Sequence, residues 1–174
     1  FTSFNNDLPN ILFGHSMGST IALRYAQTHS DLRQIILSAI PTNPAWLLST
    51  GYQLAKLENR LRPNKQSIFM NSFKQFNNQF KPNRTEFDWL SLDESNITNY
   101  MNDPRCGQPI APRYYVEMFD FMRYVFRSKE LAKINKNTAI LMVWGSDDPV
   151  TQMGKGPRAL LPRLQKLGLS TAQI

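Results

Sequence analysis

The sequence predicts an α/β protein in which a parallel sheet is interrupted by a helical insertion. Two nearly continuous apolar runs of strand length, residues 34–40 and 138–144, are typical of parallel strands that are covered on both faces. A shorter strand over residues 10–13 precedes a helix-forming run over residues 20–28, where apolar side chains recur at helical spacing. With the first apolar run they form a βαβ unit, and residues 169–174 begin a further strand.

The first strand leads directly into the sequence Gly14-His15-Ser16-Met17-Gly18. Strand, sharp turn and helix is the context that a G-x-S-x-G nucleophile elbow requires. We expect a strained backbone at Ser16, and glycine at positions 14 and 18 because any side chain there would collide with the neighbouring strand and helix. Ser16 is therefore the predicted nucleophile, and the N–H of Met17 at the helix N-terminus is a predicted oxyanion donor.

Residues 41–136 differ from the flanking segments because they lack strand-like runs and show helical periodicity. Their content of aromatic side chains is high. The rings either build a core of the insertion itself or line a pocket for an apolar substrate above Ser16. We interpret this segment as a helical lid between residues 1–40, which carry the elbow, and residues 137–174, and we expect the three parts to form one discontinuous domain.

Two acidic residues follow the second apolar run, in the stretch Gly145-Ser146-Asp147-Asp148-Pro149-Val150. Catalytic groups gather at the carboxyl ends of strands in open α/β sheets, so these acids are expected on the same edge as Ser16. The order of Ser and then Asp along the chain agrees with a Ser–Asp–His triad, and either Asp147 or Asp148 is the predicted acid. The alternative is that both are turn carboxylates or cap the next helix.

The chain contains two histidines, and neither is expected to act as the base. His15 lies inside the elbow and is expected to point away from the face that presents Ser16. His29 is thirteen residues beyond Ser16, a separation of about 20 Å along a helix. We expect the catalytic histidine beyond Ile174, in an enzyme of which these 174 residues are a part truncated at both ends and inactive alone.

Charge and composition restrict the classes of partner. An excess of 20 Lys and Arg over 13 Asp and Glu gives a formal charge of +7, which suits an anionic membrane surface or nucleic acid. The basic residues are scattered and match no nucleic-acid-binding motif, so no nucleic-acid partner is predicted. Peripheral contact with an anionic membrane surface stays open.

Cysteine usage bounds the cofactors and the compartment. The single Cys106 excludes an internal disulfide framework and a multi-cysteine metal site, and no metal or organic cofactor is expected. The sequence contains no signal peptide and no apolar run long enough to span a membrane. We therefore expect a cytoplasmic protein.

Four stretches spread over nearly the whole chain resemble the α/β-hydrolase superfamily, and within it the lysophospholipase and monoacylglycerol-lipase-like branch, whose domain is also called serine aminopeptidase-like. They are the elbow with Ser19, then Thr85-Glu86-Phe87-Asp88-Trp89-Leu90-Ser91, Asp103-Pro104-Arg105-Cys106-Gly107, and residues 145–150 followed by Met153-Gly154-Lys155-Gly156. The resemblance implies an α/β-hydrolase fold with Ser16 as nucleophile, Asp148 as acid and the Met17 N–H as one oxyanion donor.

The resemblance also implies a substrate class. It suggests a serine hydrolase that cleaves carboxylic esters with a fatty acyl chain, such as monoacylglycerols or lysophospholipids, through an acyl-enzyme at Ser16. Nothing in the predicted site separates esters from amides, so a peptidase or amide hydrolase on the same scaffold is the first alternative. The second is a non-catalytic α/β-hydrolase-like binding module.

Overall fold

The computed structural model describes residues 8–174, and the first seven residues of the predicted 1–40 segment lie outside the described residues. Its sheet has four parallel strands in the order β1-β2-β3-β4. The strands are β1 (Asn10–His15), β2 (Leu32–Ser38), β3 (Ala139–Val143) and β4 (Ala172–Gln173). A parallel sheet with flanking helices is the predicted fold class, and this prediction is confirmed.

The described residues contain seven α-helices. They are α1 (Met17–Ala26), α2 (Ala45–Leu61), α3 (Met70–Phe76), α4 (Glu94–Asn102), α5 (Pro112–Val125), α6 (Ser128–Leu131) and α7 (Lys155–Lys166), with 3₁₀ turns at Asn77–Phe80 and Asp88–Leu90. Between residues 8 and 174, no helix combines the length and apolar character needed to cross a membrane.

The described residues separate into two compact units. The first comprises residues 8–44 together with Met122–Ile174, and it contains the whole sheet. The second is Ala45–Phe121, which is helical throughout its regular elements. The second unit is shorter at both ends than the predicted lid of residues 41–136.

The core of the first unit forms between the sheet and α1. Ile35 and Leu37 on β2, and Ile140 and Met142 on β3, are completely buried, whereas Ile36 is half-buried. One face of these strands is thus covered more completely than the other. On β1, Ile11 and Phe13 are 55% and 61% exposed.

Helix α1 forms polar contacts with the segment that follows the second unit in sequence. Its Arg24 guanidinium forms an ion pair of 3.1 Å with Glu130, whose side chain is buried, and Lys133 donates to the same carboxylate at 2.8 Å. Gln27 donates from Nε2 to the carbonyl oxygen of Val125 at 2.9 Å. Because Glu130 is buried and accepts from two cations, removing either partner leaves a poorly compensated charge.

The second unit has its own interior, built on aromatic rings and one buried carboxylate. Glu58 accepts hydrogen bonds from Ser67 Oγ at 2.8 Å and from the Ile68 N–H at 2.7 Å. Burial raises the pKa of the neighbouring Tyr115 hydroxyl to about 12. Rings contact one another at 5.1–6.5 Å between centroids in three groups, namely Phe69 with Tyr115 and Phe119, Phe73 with Phe76 and Trp89, and Phe87 with Tyr100. These rings therefore pack against one another within the second unit.

Candidate active site

A single residue, Ser16, joins β1 to α1. It has φ 52° and ψ −124°, a combination that non-glycine residues rarely adopt. Its N–H donates to the carbonyl oxygen of Ser38 at 2.9 Å, and its own carbonyl oxygen accepts from the Ser19 N–H at 2.9 Å. The backbone strain expected at Ser16 is confirmed, and hydrogen bonds on both sides of the residue hold it.

The two glycines of the elbow have different roles. A Cβ on Gly14 would lie 2.4 Å from the carbonyl oxygen of Gly18 and 2.8 Å from the Ser19 Cα, so strand and helix backbones approach too closely for a side chain. A Cβ on Gly18 would meet nothing within 4 Å. The expected collision is confirmed at Gly14 and is wrong at Gly18, because Gly18 contributes its backbone to the close approach while its missing side chain would point into open space.

The start of α1 offers hydrogen-bond donors next to Ser16. The N–H groups of Met17 and Gly18 have no preceding helical turn to accept them, whereas the Ser19 N–H already donates to the Ser16 carbonyl oxygen. The helix dipole places partial positive charge at this end. Within residues 8–174 the Ser16 hydroxyl makes no hydrogen bond, and the residue is half-buried. A nucleophile beside unused donors is the arrangement that an oxyanion hole requires.

Neither histidine serves Ser16 in this structure. His15 Nδ1 lies 3.0 Å from Ser38 Oγ, so its side chain joins the ends of β1 and β2. His29 lies beyond the opposite end of α1, where its ring stacks on Tyr25 at 3.7 Å between centroids. The ten residues of α1 alone span about 15 Å, and His29 lies three residues beyond them.

The register of the sheet places the elbow and the acidic stretch on one edge. His15, Ser38 and Val143 are aligned across β1, β2 and β3. The Ala39 N–H donates to the Val143 carbonyl oxygen at 2.8 Å, which continues the connection from the elbow across to the end of β3. With neighbouring strands about 4.8 Å apart, the ends of β1 and β3 are about 10 Å apart.

Asp147 and Asp148 occupy different environments. Asp147 is exposed, and Ser146 Oγ donates to its carboxylate at 3.3 Å. Asp148 is half-buried, and its Oδ1 accepts from the Val150 N–H at 2.9 Å. Its second oxygen, Oδ2, is buried and has no hydrogen-bond partner among the described residues. Since an unpaired buried carboxylate oxygen is costly, Asp148 has an acceptor position available for a further donor.

Other candidate chemistry is not found in the described part of the chain. Between residues 8 and 174, no group of three or more His, Cys, Asp and Glu side chains is arranged to hold a metal ion. Cys106 is a half-buried free cysteine in the second unit.

Sequence reasoning missed two residues that organise this edge. Ser38 receives the Ser16 N–H through its backbone and meets His15 through its side chain. Gln152, in the loop that follows Asp148, donates to the Thr42 carbonyl oxygen and to Asn43 Oδ1. Neither residue belongs to a recognisable motif. The only nearby signal is the pair Gly154 and Gly156, which indicates an unusual backbone.

The fold and the elbow define the class of protein as an α/β-hydrolase. Solved structures of the same fold include a highly thermostable carboxyl esterase from Bacillus coagulans, with a TM-score of 0.74 and 24% identity over 96% of this chain and 56% of that one. A lipase in an open form matches with a TM-score of 0.71 and 22% identity over 96% of this chain and 56% of the other. A monoacylglycerol lipase from Paleococcus ferrophilus matches with a TM-score of 0.56 and 22% identity over 90% and 55%.

The chain belongs to the family described as serine aminopeptidase, S33, which it matches over residues 2–169. No curated protein matches it. The chain spans little more than half the length of the solved structures that it resembles. At identities below 25%, these structures establish the fold.

Proposed function

We propose that the complete protein is a serine hydrolase that cleaves carboxylic esters carrying an acyl chain, of the monoacylglycerol or lysophospholipid type, through an acyl-enzyme at Ser16. One observation carries the proposal. A strained serine at a helix N-terminus lies on the same sheet edge as Asp148, whose buried Oδ2 lacks the donor that an imidazole N–H would supply. This is the relation of nucleophile and acid in a Ser–His–Asp triad.

In the proposed reaction, Ser16 Oγ attacks the ester carbonyl carbon while a histidine base takes the hydroxyl proton. The negative oxygen of the tetrahedral intermediate is stabilised by the Met17 N–H. Collapse of the intermediate expels the alcohol, which receives the proton from the histidine, and water then hydrolyses the acyl-enzyme by the same steps. Asp148 orients the histidine and stabilises its protonated form.

We propose that the histidine is contributed from outside these 174 residues. His15 is engaged with Ser38, and His29 stacks on Tyr25 at the far end of α1. Without the base, Ser16 retains only the weak nucleophilicity of a free hydroxyl. The 174-residue chain alone is therefore expected to be inactive.

The test is hydrolysis of p-nitrophenyl esters of graded chain length by the complete protein. We expect turnover that increases from acetate to medium-chain esters and that falls at least about 10⁴-fold in Ser16→Ala. Unchanged turnover in Ser16→Ala would contradict the proposal. Absence of any turnover by the wild-type protein, together with retained binding of the acyl ligand, would support the alternative of a non-catalytic binding module.

A peptidase or amide hydrolase is the second candidate, because the family is described as serine aminopeptidase. Ser16 and Asp148 serve ester and amide cleavage equally well. Aminoacyl p-nitroanilides assayed beside the esters decide between the two. A higher kcat/KM for the anilides would favour the peptidase.

We further propose that the enzyme contacts an anionic membrane surface through α2. Five large apolar side chains on this helix are 42–70% exposed and fall within an arc of about 100° at helical spacing, namely Trp46, Leu47, Leu54, Leu57 and Leu61. Monomeric proteins rarely leave such a stripe uncovered.

The charges beside this stripe favour an anionic surface. Four exposed bases lie in or just beyond α2, and they are Lys56, Arg60, Arg62 and Lys65. The acid of the same segment, Glu58, is buried and hydrogen-bonded to Ser67 and Ile68. An apolar stripe beside basic side chains is the pattern of a helix that lies in a membrane interface.

Vesicle co-sedimentation tests this contact. We expect the complete protein to bind vesicles of phosphatidylcholine and phosphatidylglycerol more than vesicles of phosphatidylcholine alone. Leu57→Asp should reduce the binding several-fold, while Gln53→Asp, which adds the same charge at an exposed polar position and removes no apolar side chain, should reduce it less. Equal binding by both variants would contradict a contact through the stripe.

A further inference from the structure

We infer that Gln152 is a positioning residue for the catalytic acid, Asp148. Its side chain connects the loop that carries Asp148 to the segment that follows β2. The inference rests on the proposed function, because it gives Asp148 the role of the triad acid. It adds a residue that no motif assigns to the site.

The backbone after Asp148 is strained over three consecutive residues. Gln152, Met153 and Gly154 have φ of 56°, 54° and 81°. Only the last of them is a glycine, so two residues adopt the left-handed conformation against their own preference. Such a loop persists only when contacts from elsewhere hold it in place.

Part of the support is local. The Met153 N–H donates to the carbonyl oxygen of Asp148 at 2.9 Å, and Thr151 Oγ1 donates to the same oxygen at 3.2 Å. Thr151 is completely buried, and its Oγ1 accepts from the Gly154 N–H at 3.2 Å. These bonds close the loop on itself but connect it to no other strand.

The side chain of Gln152 supplies the long-range connection. Its Nε2 donates to the carbonyl oxygen of Thr42 at 3.3 Å and to Asn43 Oδ1 at 3.0 Å. Both acceptors belong to the segment that follows β2. One amide nitrogen with two hydrogens thus meets two acceptors, a pairing that a carboxylate of the same shape cannot make.

A second contact brings the same two segments together. A Cβ on Gly156 would lie 2.1 Å from Thr42 Oγ1, so the chain after the loop packs directly against Thr42. The Gln152 hydrogen bonds and this close approach fix the loop with respect to the end of β2. The elbow is fixed to the same strand end, through the Ser16 N–H and Ser38. Gln152 therefore sets the position of Asp148 relative to Ser16 through β2.

Displacing the Asp148 carboxylate has a specific kinetic consequence. A carboxylate beside the histidine stabilises the imidazolium and raises the histidine pKa. If the loop shifts, the histidine pKa falls and the acidic limb of the pH–rate profile moves to lower pH. A misplacement of about 1 Å costs on the order of 100-fold in rate.

The experiment compares four variants of the complete protein by steady-state kinetics over pH. Gln152→Met removes the amide donors with a side chain of similar length and adds no charge near Asp148, and Asn43→Ala removes one acceptor only. Met153→Ala is the matched control, because Met153 has the same left-handed backbone and an exposed side chain. Asp148→Asn reports on the acid itself.

We expect kcat of Gln152→Met to fall about 10- to 100-fold with KM unchanged, and its acidic limb to move to lower pH. Asn43→Ala should show a smaller change in the same directions, and Met153→Ala should behave as the wild type. A wild-type kcat and pH profile in both Gln152→Met and Asn43→Ala, in a protein whose Asp148→Asn variant still loses most of its kcat, would overturn the inference. Wild-type kcat in Asp148→Asn would overturn the proposed role of Asp148 as well.

Discussion

The elbow at Ser16 and the loop that carries Asp148 both follow parallel strands, yet different kinds of contact hold them. The elbow places one residue in an unfavourable conformation, and the space it needs is provided by Gly14 within the same five-residue motif. The acid loop has two consecutive non-glycine residues with positive φ and depends on the segment that follows β2. Most of the elbow is therefore specified locally, whereas the acid loop is specified by contacts more than a hundred residues apart in sequence.

The difference has a consequence for substitution. A change inside the elbow acts through steric fit of adjacent backbones, while a change in the acid loop acts through the position of a carboxylate. A steric change in the elbow should therefore alter mainly the free energy of unfolding. A change that moves the Asp148 carboxylate should alter mainly kcat.

The largest expected effect is a difference in kcat between variants of the two carboxylates of the acid loop, Asp147 and Asp148. Asp148→Asn should lower kcat about 10³- to 10⁴-fold in the complete protein, because the amide cannot stabilise the imidazolium. Asp147→Asn is the matched control and should lower kcat less than about threefold, since Asp147 is exposed. Steady-state ester hydrolysis measures both, and equal losses in the two variants would contradict the assignment of Asp148.

The next effect compares the two glycines of the elbow. Gly14→Ala should lower the free energy of unfolding by about 1–3 kcal/mol, because the new methyl group meets the Gly18 and Ser19 backbone. Gly18→Ala should be neutral or stabilise by up to about 1 kcal/mol, since its methyl group has open space and alanine favours the helix. Urea denaturation of the complete protein measures both, and a Gly18→Ala loss as large as that of Gly14→Ala would contradict this distinction.

A loss of similar size is expected from the corresponding change in the acid loop. Gly154→Ala should cost about 1–2 kcal/mol because its φ of 81° is unfavourable for alanine. The methyl group would also meet the Trp144 indole, which lies under the Arg158 guanidinium. Gly145→Ala, whose Cβ would lie 3.8 Å from the nearest atom, is the control and should be close to neutral in the same denaturation experiment.

The smallest expected effect is a pH dependence of the free energy of unfolding. It arises at Glu130, which pairs with Arg24 of helix α1. A hydrogen bond from Lys133 lowers the pKa of Glu130 from its ordinary value of 4.5, and Tyr124 and the charge of Arg24 act in the same direction. A depressed pKa in the folded state stabilises the protein above the unfolded value, and the contribution is lost as the pH falls through the folded value.

Unfolding free energy should therefore decline in acid below about pH 4.5. Glu130→Gln removes this titration, so its unfolding free energy should decline less steeply over the same range. Parallel slopes for the variant and the wild type would show that Glu130 does not contribute.

The sequence predicted the elbow better than the acid loop for the same physical reason. Strand, glycine, serine and glycine are adjacent, so the pentapeptide contains the information for the turn. Helix α1 nevertheless begins at Met17 rather than at residue 20, since Ser16 itself occupies the N-cap position. The acid loop instead depends on Thr42 and Asn43, and no local pattern reports that pairing.

The element boundaries show a related difference. Strand β2 covers Leu32–Ser38 rather than residues 34–40, because Ala39 has φ 50° and ends the strand. Ile40 is apolar and completely buried, although it lies outside the strand, and so extended the apparent run. The final strand is limited to Ala172–Gln173 within the predicted residues 169–174. At Ile40 an apolar, buried side chain therefore does not mark membership of the strand.

The most direct measurement of the central claim is covalent labelling of the complete protein with an alkyl fluorophosphonate, followed by intact mass and peptide mapping. An activated serine in an oxyanion hole reacts with this reagent, whereas an ordinary surface serine does not. We predict one adduct per chain, located on Ser16, which is absent in Ser16→Ala and forms much more slowly in Asp148→Asn. An adduct on another residue, or unchanged labelling of Ser16→Ala, would contradict the account.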